Sequence, residues 1–249
     1  MDFFERSSSW NYGAMKNFHR ISEPVKRHVR QVYWTVAMAL IVSAVGVYAH
    51  MLLNIGGLLT TFGFLGCSFA LMNTSSSYAA QGKRWTWLMA AAFCEGASLG
   101  NFVGAVIEFD PSILVTAFVA TVAVFASFSG AALLAKRREF MFLGGILASA
   151  ASSMLTLHFL SSFFGGAALM FEVELYGGLL LVVGYVIFDT QLIIERAERG
   201  DMDHIKHALD LFVDFVGIFV RVLYILTRKA AERESREKRR NRQRHSSRY

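Results

Sequence analysis

The side chains with most chemistry to offer are ionisable groups set inside or at the ends of long apolar stretches: Glu95, Asp189, His207, Asp210, Asp214 and Arg221. Hydrocarbon selects strongly against charge, so each such residue must face protein or water, and each is a candidate for function. Asp189 and Asp214 are the informative pair. Asp189 stands about five residues before the end of one apolar stretch at Ile194, and Asp214 about ten residues into the next. A short polar loop joins the two stretches, so they are expected to be antiparallel neighbours that bring the two acids to similar depths. Carboxyls held together in a low dielectric cannot both ionise cheaply; they share a proton and titrate as a coupled pair. Protonated, they hydrogen-bond and hold two helices together. Ionised, they repel and present oxygen ligands suited to Ca²⁺, a hard cation. The chemistry expected is that of a proton-sensitive latch.

The remaining candidates support or compete with that reading. At about 100° per residue, Asp203, His207, Asp210, Asp214, Gly217, Arg221 and Arg228 point within about 40° of one direction, a polar stripe on a Leu/Phe/Val helix. A structural ion-pair network is the competing account, because Arg221 lies two turns beyond Asp214. Glu95 is either a buried packing residue or a second ion site. His207 either tunes a pH response from the stripe or sits at the edge of a loop. Cys67 and Cys94 occupy different stretches and read as reduced small hydrophobes. The seven histidines show no zinc spacing, and the sequence has neither a phosphate-binding loop nor a nucleophile motif. Gly96, Gly100 and Gly104, spaced by four, give one helix a narrow face for close packing.

Seven apolar stretches must position these groups. They run from about Val32 to Leu53, Ile55 to Met72, Trp85 to Ile107, Ile113 to Ala135, Met141 to Phe163, Leu175 to Ile194 and His204 to Thr227. Each is close to the roughly 20 residues that cross a hydrocarbon core about 30 Å thick. Linkers are too short for a soluble domain. The expected fold is an all-α integral membrane protein, a seven-helix bundle with the seventh helix central and surrounded by the other six. Composition agrees: 54% of the 249 residues are hydrophobic and 18% charged, against about 45–50% and about 25% in soluble domains. The alternating ten-residue segments of a membrane β-barrel are absent, and two cysteines rule out a disulfide scaffold. Ser22-Glu23-Pro24 and Asp110-Pro111 read as helix starts.

Charge divides the chain into a cytosolic amino-terminal arm (1–31), the seven-helix domain (32–227) and a basic carboxy-terminal tail (228–249) expected to be disordered beyond its first turns. The arm lacks the apolar run of a cleaved signal peptide, so the first span is expected to act as the insertion signal. The arm's Lys and Arg, Lys83 and Arg84, Lys136 to Arg138, and Arg196, Arg199 and Lys206, these last diluted by acids, alternate with loops free of Lys and Arg, which places the arm and the even-numbered loops in the cytosol. The tail carries ten Lys or Arg against three Asp or Glu, so the formal net charge of +6 belongs to it and the body offers no basic surface for nucleic acid. Two courses stay open for the seventh segment: a full crossing, or a dip that returns the tail to the cytosol. The tail is either a topology signal or a clip for anionic lipids or an acidic partner such as calmodulin, switchable by phosphorylation of Ser246 or Ser247.

Several of these motifs resemble one family. Val183-Gly184-Tyr185-Val186-Ile187-Phe188-Asp189-Thr190-Gln191-Leu192-Ile193-Ile194 is similar to the signature of the Bax inhibitor-1 (transmembrane Bax inhibitor motif) family. So are Asp110 to Leu114, Arg137-Arg138-Glu139 before Leu143-Gly144-Gly145, Gly200 to Asp203, and Leu211 to Phe215. The resemblance runs from Lys16 to the basic tail and is closest to the eukaryotic endoplasmic-reticulum branch, the plant-like members especially. It implies a multi-pass endoplasmic-reticulum protein, two three-helix layers around the last helix, a pH-sensitive calcium leak and suppression of stress-induced cell death. The family's paired aspartates match Asp189 and Asp214, which would hold Ca²⁺ in passage, with no bound cofactor. Bacterial members latch one aspartate with an arginine on the second helix. The second span here has no basic residue, so that lock is absent or supplied by Arg221. Two other functions compete: a scaffold that suppresses death through membrane-protein partners, and an intramembrane aspartyl protease. The latter's Tyr-Asp and Gly-x-Gly-Asp motifs are missing, since Asp189 follows Phe188 and Asp214 follows Phe212-Val213, and no enzyme activity is expected.

Overall fold

The computed structural model describes residues 21–135, 140–164 and 167–246, and among these there is no strand. The arm before Ile21, the basic loop 136–139 and Ser247 therefore lie outside the described residues. Helix α1 spans Glu23–Leu53, with Ser22 extended before it and Pro24 in its first turn. It stops at Asn54, whose left-handed backbone (φ 51°) turns its N–H back to the His50 carbonyl at 2.7 Å. Helix α2, Leu58–Asn73, is followed by a 3₁₀ turn at Tyr78–Ala80 and by α3, Gln81–Phe109. Asp110 then caps α4, Pro111–Leu134: its carboxylate accepts the Ser112 N–H at 2.9 Å, and Pro111 fills the first helical position, where no donor is needed.

Helix α5 spans Leu143–Phe164. Helix α6 covers residues 167–198 as one rod in three pieces: α-helical Ala167–Glu172, a π-helical turn at Val173–Gly177, and α-helical Gly178–Glu198. It begins well before Leu175, where the sequence placed the start of that span. Gly200, at φ +96°, takes a conformation costly to other residues and folds the chain over the end of α6. Helix α7, His204–Ser246, follows.

Five rods are long and apolar enough to cross a bilayer, namely α1, α3 with its 3₁₀ turn, α4, α5 and α6, while α2 is an apolar helix of 16 residues. This makes the chain a multi-pass membrane protein. Its outer surface agrees: Leu59 is 83% and Leu180 74% exposed, as expected of side chains whose solvent is hydrocarbon. The core forms around α7. Phe212, Leu211 and Ile218 are wholly enclosed and pack with Val32 and Ala39 of α1, Leu71 of α2, Leu88 and Ala92 of α3, and Val186 of α6. The seventh helix therefore holds the centre, while α5 rests against α6.

Of the two courses left open for α7, its path through the bundle matches the full crossing. It starts beside Arg84, at the beginning of α3, and Leu226 and Lys229 line a cavity with Glu108 and Asp110, at the other end of α3. It runs the full depth of the bundle. Nor does helix end with the apolar segment, as the sequence suggested; it continues to Ser246, with ion pairs one turn apart between Arg228 and Glu232 and between Glu234 and Lys238.

Helices α1 and α3 approach closely because glycines line the seam. A Cβ on Gly96 would collide with the Ser43 carbonyl, one on Gly46 with the Phe93 carbonyl, and one on Gly100 with the His50 ring. Gly104, expected on the same stripe, has nothing within 4 Å.

Candidate functional site

The site is built on the antiparallel pairing of α6 with α7. Their facing residues form a ladder: Arg196 with Asp210, Asp189 with Asp214, Val182 with Gly217, Gly178 with Arg221, and Glu172 with Arg228. Two charged rungs match opposite signs. Arg196 Nη1 lies 4.0 Å from Asp210 Oδ2, and Arg228 pairs with Glu172. The Asp189–Asp214 rung matches acid with acid. The two carboxyl groups are within hydrogen-bonding reach; Asp214 is 7% exposed, and its Oδ2 is shut from solvent without a hydrogen-bond partner of its own. Two carboxylates are both acceptors, so such a contact needs a proton between them.

The surroundings hold this rung in place. Phe188, next to Asp189, lays its ring over Gly144 of α5, where a Cβ would come within 2.6 Å of Phe188 Cε2. Tyr185, one turn before Asp189, lies near both acids. Thr190, on the other side, is hydrogen-bonded at 3.2 Å to Ser129 of α4, which bonds in turn to Tyr33 of α1. Gln191 donates to the Ala132 carbonyl at 2.7 Å, a second tie from α6 to α4.

Other expected participants lie elsewhere. Arg221 donates to the Gly217 carbonyl at 2.9 Å, and its guanidinium fills the space over Gly178, where a Cβ would lie 2.7 Å from Nε. It faces the π-helical turn and Glu174, so it does not replace the missing latch; the base whose charge reaches Asp189 is Arg196. Glu95 is half-buried on α3, and its carboxyl makes no hydrogen bond or ion pair with the described residues. His207 is fully enclosed, its Nδ1 2.9 Å from His28 Nε2 and its Nε2 3.8 Å from Asp201.

His28 belongs to a second polar layer at the start of α7 that sequence reasoning missed. Arg84 Nη2 donates to Asp203 Oδ2 at 2.5 Å, with side chains 4% and 9% exposed. Burial alone would raise the Asp203 carboxyl. The hydrogen bonds from Arg84 and from the Lys206 N–H, together with the Arg84 charge, outweigh it and hold the group below the usual carboxylate range. Arg84 had been visible only as a cytosolic loop charge.

The fold and this ladder define a multi-pass helical membrane protein with a carboxyl pair at the interface of its last two helices. A family model described as inhibitor of apoptosis-promoting Bax1 matches residues 25–231. The chain is 50% identical over 228 residues to Bax inhibitor 1 of Arabidopsis thaliana, covering 92% of each chain. It is 48% identical over 236 residues to that of Oryza sativa subsp. japonica (95% of this chain, 94% of the relative) and 40% identical over 240 residues to that of Homo sapiens (96% and 100%). The chain belongs to the Bax inhibitor-1 family.

Proposed function

We propose that this protein suppresses stress-induced programmed cell death from the endoplasmic reticulum membrane, and that it does so as a pH-sensitive Ca²⁺ leak with Asp189 and Asp214 as sensor and gate. The relatives' shared name, Bax inhibitor 1, supports the suppression of cell death; the endoplasmic-reticulum setting follows from the resemblance of the sequence motifs alone. The Ca²⁺ leak rests on one observation: Asp189 meets Asp214 on the one rung of the ladder between α6 and α7 that sets two groups of the same sign against each other. With a shared proton the carboxyls bond and α6 is fixed on α7. Once the proton leaves, the like charges separate the helices and expose oxygen ligands that Ca²⁺ accepts while passing. Arg196 and Asp210 flank the pair on the side where α7 begins.

The test is Ca²⁺ flux from proteoliposomes across a pH series. Wild-type flux is expected to rise as the pair loses its proton. Asp214→Asn, which keeps the hydrogen bond without a titrating proton, is expected to flatten that profile. An unchanged rate and an unchanged pH profile in Asp214→Asn would remove the gating account. A scaffold reading draws on a different feature, the charged helix that α7 extends beyond the bundle, which suits calmodulin, another membrane protein or an anionic lipid surface. Full protection from cell death by the Asp189→Asn/Asp214→Asn variant, with flux abolished, would favour the scaffold.

A further inference from the structure

Helices α1 and α4 are pinched together at one end and splayed at the other. At the pinched end Tyr33 hydrogen-bonds Ser129 and packs edge-on against Phe125, ring centroids 6.3 Å apart. Towards the opposite membrane face the gap widens into a cleft of about 400 Å³, walled by Ala44, Val47 and Met51 of α1 and by Leu114 and Phe118 of α4. Its floor is the central helix itself, at Phe215 and Phe219. Along α1 the wall runs from Leu40 to Met51, about 16 Å at the helical rise. That is the depth of one leaflet, half of a hydrocarbon core about 30 Å thick.

The surface end of this cleft is polar. At Met51 and Ile107 it meets a second recess of about 400 Å³ that contains His50, Asn54, Asn101 and Glu108. His50 is already engaged: its Nδ1 accepts the Gly56 N–H at 2.6 Å, so its Nε2 carries the proton and donates to Asn101 Oδ1 at 2.9 Å. Glu108 is the one formally charged residue lining the recess, and its carboxylate makes no hydrogen bond or ion pair with the described residues. An apolar trough one leaflet deep that ends in a polar mouth has the dimensions of one lipid chain and its head. Glu108 also borders the cavity lined by Asp110, Lys229, Arg233, Glu234 and Glu237, four acids in all against two bases. The mouth is therefore net acidic: it disfavours an anionic head, and the Glu108 carboxylate accepts hydrogen bonds from an ammonium.

We propose that this cleft binds one phospholipid with a primary-amine headgroup, one of its two acyl chains lying between α1 and α4 against α7, the other in the surrounding bilayer, and its ammonium on Glu108. The tail then touches Phe215, the residue after Asp214, so the bound lipid lies directly against the helix that carries the carboxyl pair.

The full-length protein, purified and exposed to equal amounts of ethanolamine, choline and glycerol phospholipids with identical chains, is read by native mass spectrometry. One retained lipid is expected, with the ethanolamine head preferred over choline by about tenfold, the discrimination a charge-assisted hydrogen bond supplies. Glu108→Gln should bring that preference below about twofold on the same basis. Ala44→Trp, which fills the trough, should abolish retention, whereas Leu59→Trp on the outer face of α2 should leave it intact. An ethanolamine lipid carrying a photoactivatable group on its chain should label wild-type protein within residues 44–51, 114–118 and 215–219, a readout independent of how the variants fold. Equal retention of choline and ethanolamine lipids, preference for the glycerol lipid, undiminished binding in Ala44→Trp, or labelling spread over the outer helices would each overturn the assignment.

Discussion

Asp214 meets a group of its own sign, whereas Asp210 and Arg228 on the same helix meet opposite charges and Arg221 a carbonyl, and this asymmetry sets what each substitution should do. Replacing Asp189 by Asn is expected to act like Asp214→Asn on the pH profile of Ca²⁺ flux, because either change removes the shared proton while leaving a hydrogen bond. The Arg84–Asp203 pair should behave in the opposite way. Its groups are of opposite sign and buried, so Asp203→Asn leaves a guanidinium enclosed without its counterion, a loss of about 3–5 kcal/mol. Since the folded Asp203 carboxyl titrates below its free value, that stabilisation is complete above the free-carboxylate range near 4 and fades as pH falls through the folded value. Thermal unfolding in detergent should show wild type losing its advantage over Asp203→Asn only in strong acid; equal melting temperatures at neutral pH would refute the pair's role. These two sites differed in legibility. The carboxyl pair follows from a short loop and similar depths, quantities that a sequence contains. Arg84 and Asp203 are 119 residues apart, and nothing in a local pattern distinguishes a buried arginine at a helix start from one that only sets orientation. His28 was hidden for the same reason: its partner His207 lies 179 residues away.

Among the elements, the α1–α3 seam makes the sharpest contrast. Gly96 and Gly100 are where they are because a methyl group would strike backbone or the His50 ring, whereas Gly104 faces open space. Gly96→Ala is expected to destabilise by about 1–3 kcal/mol through overpacking. Gly104→Ala should be neutral or stabilising by up to about 1 kcal/mol, from helix propensity alone. Comparable melting shifts for both would show that the seam is looser than described. The repeat of small residues was readable; which of them face the neighbour was not, because that depends on how far two helices diverge along their length. The tail illustrates another limit. Its charge density argued for disorder, yet acids and bases one turn apart along α7 support a helix, and only a structure shows that the helix arrives there already nucleated by its buried half.

For the molecule as a whole, a full crossing by α7 places the tail on the face opposite the start of α1, despite a positive charge that would favour the other side. Single cysteines at Ser22 and Ser235, introduced with Cys67 and Cys94 replaced by Ala, should react with an impermeant maleimide from opposite sides of sealed vesicles. Labelling of both from one side would contradict the crossing. Fold class and the central place of the last helix were legible because lipid leaves so few ways to hide charge. The course of that helix was not, since two topological rules, burial of the polar stripe and retention of basic residues in the cytosol, point in different directions for it.

The facing residues of α6 and α7 also work like the cuts of a key. Arg196, Asp189, Gly178 and Glu172 each accept one particular tooth of the last helix, a large cation over a glycine, an acid against an acid, an acid at one end and a base at the other. A slip of one turn, about 5.4 Å, would drive the Arg221 head into Val182 or leave it short of its notch, and would uncouple both outer ion pairs at once. The rod is therefore indexed to a single insertion depth, and force applied to the part that protrudes is resisted by all the cuts together.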